Sequence, residues 1–232
     1  MLFSYKRKGN TTIVYNNREM TWIEVNGVVQ SAISNEAPFR PLLPHYFIML
    51  LPLIHDTKPN TILELGAGAL ALQRYLKITQ PDIDIKSVEY DSTIIKACTQ
   101  TFPKFEGQQI IQQDAYSYIE KAVKKKALYD WVIVDLFDGK HSSFIDNMKK
   151  FTNQIKLVLN HNGWLIINTL QLNHQQLDVV SNNLKSKFNV KVFIFAVPKT
   201  LNHIVMIKNT KKNFIFPQEI EQHNLSAIEF KH

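Results

Sequence analysis

A chain of 232 residues suits one ordinary domain, alone or with a small appendage, and its 45% apolar content suffices for a substantial core. The single cysteine, Cys98, excludes an internal disulfide and reads as a small core residue, consistent with a reducing compartment. The net charge of +7 raises a nucleic-acid partner, but the lysines fall in short clusters (Lys6-Arg7-Lys8, Lys124-Lys125-Lys126, Lys149-Lys150, Lys211-Lys212) with no interleaved aromatics to stack bases, so solvated loops and helix ends are expected instead.

Residues 1–10 turn basic before any apolar run develops, which is not the pattern of a secretory signal. Strand patterns follow at Thr12–Tyr15 and Met20–Val25. Asn26-Gly27 is a type I′ hairpin signal, and Val28–Ile33 is the return strand. Residues 1–40 are thus expected to form a small antiparallel β-unit, and residues 41–232 the main domain. The most apolar stretch, Pro41–Ile54, is shorter than the roughly 20 residues that span a bilayer, and Pro44, His45 and Pro52 interrupt it. A core helix over Pro41–Asp56, no membrane attachment and a cytoplasmic location are the expectations.

From Thr61 the pattern becomes an alternation of strand and helix. Thr61–Leu65, Ile83–Glu89, Gln108–Gln112 and Asp130–Asp135 read as strands, with helices at Ala69–Ile78, Ser92–Phe102 and Tyr116–Lys126 between them. The apolar run Trp131-Val132-Ile133-Val134 is that of a central parallel strand covered on both faces. A helix over Phe144–Leu159, a strand over Trp164–Asn168 and a helix over Leu177–Phe188 come next. The last two strands, Val190–Ala196 and His203–Lys208, are joined by a link too short for a parallel crossover, so they must be antiparallel. The expected fold is α/β: a Rossmann-like class I methyltransferase fold whose mostly parallel seven-stranded sheet has an antiparallel last strand.

After the first parallel strand comes Glu64-Leu65-Gly66-Ala67-Gly68-Ala69. Glycines there let the backbone turn sharply and approach a ligand at the start of a helix. The next strand ends in Val88-Glu89-Tyr90-Asp91, which places an acid about 20 positions on, where it can accept from both ribose hydroxyls. Asp114, Asp135 and Asp138 follow later strands onto the same rim. Asp91 and Asp114 also suit helix capping, and Asp138 before Gly139 suits a turn. The glycine spacing, with Ala71 in the third position, admits a nicotinamide or flavin nucleotide as well; the antiparallel last strand favours a sulfonium nucleotide. The eight histidines show no metal-ligand spacing, so no metal is expected.

From about Trp22 to Ile207 the ordered segments resemble the spermidine synthase family of aminopropyltransferases. The resemblance rests on Asn26-Gly27-Val28-Val29-Gln30 with Asn35-Glu36, on the glycine loop, on Val88-Glu89-Tyr90-Asp91, on Gln113-Asp114-Ala115, and on Tyr129-Asp130-Trp131-Val132-Ile133-Val134-Asp135-Leu136-Phe137-Asp138. It implies an S-adenosyl nucleotide held by Gln30, Gly66, Ala67, Gly68, Glu89, Asp114 and Ala115, with Asp114 receiving the adenine amine. It implies Asp135 as a further nucleotide contact, beside the transferred group and the attacking amine; burial and Asp138 three residues on are expected to raise the Asp135 pKa and fit it to take the amine's proton. Decarboxylated or ordinary S-adenosylmethionine would be the donor, methylthioadenosine the product of aminopropyl transfer, a small amine the acceptor, and a homodimer the assembly. The chain departs from the family where its loop carries an Asp and this one has Ala69, at Phe39 in place of a tyrosine, and at Lys199-Thr200-Leu201 in place of Thr-Tyr-Pro. Two cations held close in a partly dry site need carboxylates, so these changes put putrescine as acceptor in doubt and admit ordinary S-adenosylmethionine as donor. A methyltransferase of other substrate and a non-catalytic nucleoside-binding homologue are the competing readings. Against nucleic-acid base methylation, the fourth strand ends in Asp-Leu-Phe-Asp rather than Asn/Asp-Pro-Pro-Tyr.

Overall fold

The computed structural model describes residues 1–7, 9–136, 147–212 and 214–217. Four antiparallel strands open the chain: β1 (Phe3–Arg7), β2 (Asn10–Asn16), β3 (Met20–Val25) and β4 (Val28–Ser34), paired in sequence order. Asn26 and Gly27 take φ of 53° and 79°, the pair of positive values that a type I′ turn demands. The Asn26 side chain adds a clamp by accepting from the Thr11 amide at 2.9 Å. Strand β1 was not expected from its polar sequence. Its pairing with β2 runs from Phe3 opposite Val14 to Arg7 opposite Asn10, and such main-chain bonds leave no apolar alternation to read.

The helix expected over Pro41–Asp56 is instead two short ones, α1 (Pro44–Met49) and α2 (Leu51–His55), with Pro41 bridged to Ile33 of β4. Pro52 is the cause: it lacks the amide that would bond to Ile48, and its ring crowds that carbonyl. The break spares the burial, since Ile48, Met49, Leu50 and Leu51 all lie in the core.

The main sheet contains β5 (Thr61–Leu65), β6 (Asp84–Glu89), β7 (Ile110–Gln112), β8 (Tyr129–Val134), β9 (Leu159–Leu170), β10 (Val192–Ala196) and β11 (Asn202–Lys208), in the order β10-β11-β9-β8-β5-β6-β7. The pairs β5–β6, β6–β7, β5–β8 and β8–β9 are parallel, whereas β11 runs antiparallel to both β9 and β10. Only β11 therefore reverses. This is the expected Rossmann-like arrangement, and the strand order changes direction at β5, which opens a crevice at the carboxyl ends of β5 and β8.

Helices α3 (Ala71–Thr79), α4 (Ser92–Thr101), α5 (Ala115–Lys124), α6 (Met148–Val158) and α7 (His174–Phe188) cover the sheet. Alternate residues of each strand enter two cores. Ile62, Trp131, Ile133 and Ile166 pack in one with α1 and α3; Leu63, Val132, Val134 and Ile167 pack in the other with α5, α6 and α7. Each buried side chain of β8 contributes roughly 1.5–3 kcal/mol relative to exposure. Asp130, within the family-specific segment, is structural: Oδ2 accepts from the Asn60 and Thr61 amides at 2.8 and 3.1 Å, and Oδ1 from Asn160 Nδ2 at 2.8 Å. It ties the starts of β5, β8 and β9 together at the end of the sheet away from the crevice. Among the described residues, no helix is long and apolar enough to cross a membrane.

Candidate active site

Strand β5 ends against its two neighbours: the Gly66 amide donates to Val88 O and the Asp135 amide to Leu65 O, both at 2.8 Å. Gly66 has a φ of 92°, and a Cβ there would overlap the Asp135 carbonyl, whose carbon would lie 2.7 Å away. Glycine is required at this point by both backbone conformation and space. The chain then passes Gly68 (φ 48°) and Leu70, whose left-handed φ of 59° delays helix α3 to Ala71, two residues later than expected.

Glu89, at the tip of β6, faces this loop. Its Oε2 accepts from the Ala67 amide at 3.2 Å and its Oε1 from the Asp91 amide at 2.8 Å. Burial pushes its carboxyl above the usual range, and those backbone amides oppose the shift. Glu89 also lines a cleft of about 590 Å³ that runs along the carboxyl ends of the strands. On the β6–β7 side the cleft is walled by Gln30, Gly66, Gly68, Glu89, Asp114 and Ala115. Ala67 supplies only backbone, its side chain being buried. Every expected nucleoside-site residue therefore lies at the cleft or in the loop that forms its floor. The capping alternative holds too: Asp91 accepts from the Thr93 amide at 2.7 Å and Asp114 from the Ser117 amide at 2.8 Å. Asp114 thus caps α5 and also lines the cleft.

On the other side of β5 the cleft is walled by Leu43, His45, Asp135, Asn168, Leu170 and Asn202. Asp135 Oδ1 accepts from Asn168 Nδ2 at 2.8 Å, and its Oδ2 lies 4.0 Å from His45 Nε2. Burial raises the Asp135 carboxyl, opposed by the charge of His45 when that imidazole is protonated and by the Asn168 amide. His45 is itself buried, which lowers its pKa despite the facing carboxylate, so the imidazole is neutral at neutral pH. Its Nε2 has no hydrogen-bond partner among the described residues. Asp138 lies outside the described residues. Lys199 is exposed in the 197–202 turn, and Thr200 reaches the cleft in its place. Ala69 is fully buried in the core.

Sequence reasoning missed His45, Asn168 and Asn202. His45 sits amid apolar neighbours in Pro44-His45-Tyr46 and reads as core. Asn168 did carry a signal, because it ends the apolar run Trp164–Ile167 as Asp135 ends Trp131–Val134. Beneath the site, Glu64 is buried with Ser87, whose hydroxyl donates to it. Gln73 Nε2 in turn donates to Ser87 Oγ at 2.7 Å. Burial raises Glu64 to about 8 against that hydrogen bond, with the Asp135 and Glu89 carboxylates adding to the rise. The folded state thus holds a proton on Glu64 that the unfolded chain releases near 4.5, so this group lowers stability as pH climbs from there towards about 8. Glu64→Gln, which keeps an acceptor for Ser87, is expected to match the wild type near pH 5 and to exceed it by a few kcal/mol above pH 8 in urea unfolding. A gap that stays constant with pH would contradict this account.

Among the described residues, no three His, Cys, Asp or Glu side chains are grouped to hold a metal ion. The spermine/spermidine synthase domain model matches residues 43–220. The polyamine aminopropyltransferase of Vibrio vulnificus (strain CMCP6) is 24% identical over 170 residues, an alignment covering 72% of this chain but 56% of that protein. The chain therefore spans little more than half the length of this relative. A probable spermidine synthase from Corynebacterium glutamicum ATCC 13032 superposes with a TM-score of 0.75 at 18% identity, covering 90% of this chain and 81% of that one. A spermidine synthase in complex with the transition state analogue AdoDATO superposes at 0.68 and 13% identity, covering 90% and 72%. Two-sheet architecture, strand order and family match agree: the chain belongs to the spermine/spermidine synthase domain family.

Proposed function

We propose that the chain binds an S-adenosyl sulfonium nucleotide and transfers an alkyl group, aminopropyl or methyl, from it to a small amine. The observation that carries this reading is Glu89 facing the Gly66–Gly68 loop across adjacent strand tips. That gap suits an adenosine ribose, with the carboxylate accepting from both hydroxyls. Gln30 lines the same side of the cleft, and Asp114 beside Ala115 takes the adenine amine. The donor chemistry fits these residues: a cationic sulfonium would sit between Glu89 and Asp135, whose carboxylates favour positive charge.

The bound donor supplies an activated carbon, so the protein chiefly aligns, excludes water and accepts a proton. The amine lone pair forms the new C–N bond as the C–S bond breaks and sulfur becomes a neutral thioether. Asp135, half-buried at the tip of β8, takes the proton the amine loses. Neutral His45 leaves the approaching amine without a repelling cation. With Ala69 in place of the family's acid, position 69 carries no carboxylate to repel that of ordinary S-adenosylmethionine, which this reading admits as donor.

Calorimetry with S-adenosylmethionine, its decarboxylated form and methylthioadenosine, followed by transfer assays with putrescine and other amines, tests this. Ordinary S-adenosylmethionine is expected to bind at least as well as the decarboxylated form. Asp135→Ala is expected to keep affinity for the uncharged methylthioadenosine within about threefold and to lower transfer by at least 100-fold, the scale of a lost general base. Equal loss of binding in Glu89 and Asp135 variants would contradict this division of roles. Binding without transfer to any amine would leave a nucleoside-binding homologue.

A further inference from the structure

Three strand ends are joined by side-chain amides at the acceptor side of the cleft. Asn202 Nδ2, at the start of β11, donates to Asn168 Oδ1 on β9 at 2.8 Å. Asn168 Nδ2 donates to Asp135 Oδ1 at the tip of β8, also at 2.8 Å. We propose that Asn202 is a positioning residue: it holds the Asn168 amide with its NH2 toward Asp135 and so keeps that carboxylate ready to accept a proton. The inference rests on the reading of Asp135 as the proton acceptor.

The reasoning is one of donors and acceptors. A primary amide has two ends of nearly equal shape, one donating and one accepting. An ionised Asp135 can only accept, so it needs the NH2 of Asn168. A protonated Asp135 would be served equally well by the carbonyl, reached by turning the amide over. Asn202 opposes that turn, because it would bring two NH2 groups together at one end. Holding the Asn168 amide in one sense therefore favours the ionised acid. The requirement is real here, because burial presses Asp135 towards its neutral form, Glu64 of β5 beneath it keeps its own proton, and of the groups of α1 facing it, His45 is neutral and Tyr46 uncharged.

The backbone that presents Asn202 is well held. Val197 N donates to Asn202 O at 2.9 Å, Asn202 N to Thr200 Oγ1 at 3.1 Å, and Gln171 N to Leu201 O at 3.0 Å. The turn that shapes the cleft wall thus fixes the backbone from which Asn202 reaches the Asn168 amide.

The test uses the full chain labelled with carboxyl-13C aspartate, the Asp135 resonance being assigned by its loss in Asp135→Asn. In Asn202→Ala the proton affinity of Asp135 is expected to rise about tenfold, the upper end of the net worth of one neutral hydrogen bond, here the one that holds the Asn168 amide. Asn202→Asp, of the same shape but able only to accept, should raise it further. With an amine acceptor, the acid limb of the transfer profile should move to higher pH by the same factor, while the alkaline plateau and nucleoside affinity stay within about twofold. An Asp135 titration unchanged in Asn202→Ala overturns the proposal, even if transfer is slower. A shifted titration in a protein that transfers nothing upholds the positioning role and overturns the reading of function.

Discussion

Glu89→Ala is expected to weaken binding of S-adenosylmethionine and of methylthioadenosine by about 100-fold or more. Two hydrogen bonds from ribose hydroxyls to a carboxylate are worth about 1.5–3 kcal/mol each. The variant also strips the Ala67 and Asp91 amides of their acceptor, loosening the loop that forms the floor of the site and the start of α4. Glu89→Gln separates the two effects. It keeps an acceptor for the loop amide but loses the charge and one acceptor, so a loss of about tenfold is expected while thermal stability holds. Titration calorimetry decides the matter. An affinity in Glu89→Ala within about threefold of the wild type would remove the ribose from this carboxylate, and with it the case for a nucleoside in the cleft.

Gly66→Ala is expected to cost about 4 kcal/mol or more, against about 1–2 kcal/mol for Gly68→Ala two residues on. Both glycines have positive φ, but their surroundings differ. At Gly66 a Cβ would run into the main-chain carbonyl of Asp135, whose strand is held by the Asp135 amide to Leu65 O, and neither side can yield. At Gly68 the nearest atom to a Cβ is Ser31 Cβ at 3.5 Å, an ordinary contact. Urea unfolding of the two variants, side by side, measures the difference, and equal destabilisation would show that backbone conformation alone sets the cost. A folded fraction of Gly66→Ala should also lose transfer, because the displaced main chain carries the Asp135 side chain.

Much of this protein can be read from local chemistry. Asn26-Gly27 sets a hairpin because both residues tolerate positive φ, and apolar runs such as Trp131–Val134 mark strands covered on both faces. An acid that closes such a run, as Asp135 does, or that ends a strand, as Glu89 does, lies at the mouth of the sheet by the geometry of parallel strands alone. Helix ends were less legible. Leu70 takes a left-handed conformation that no leucine propensity foretells, and Pro52 breaks a helix whose apolar pattern continues through it.

What lay beyond the sequence is whatever the order of strands brings together. Asn168 and Asn202 are 34 residues apart and meet because β11 runs back beside β9 in antiparallel register. His45, amid apolar neighbours in the chain, faces Asp135 because α1 packs over the strand ends. Glu64 looks like part of a glycine motif, yet its proton is set by Ser87 and Gln73 from other elements and by the low dielectric around all three. Periodicity and turn chemistry act over a few residues and so write the elements and the rim into the sequence. Partnership between polar side chains depends on through-space distance and desolvation, which only the assembled sheet determines.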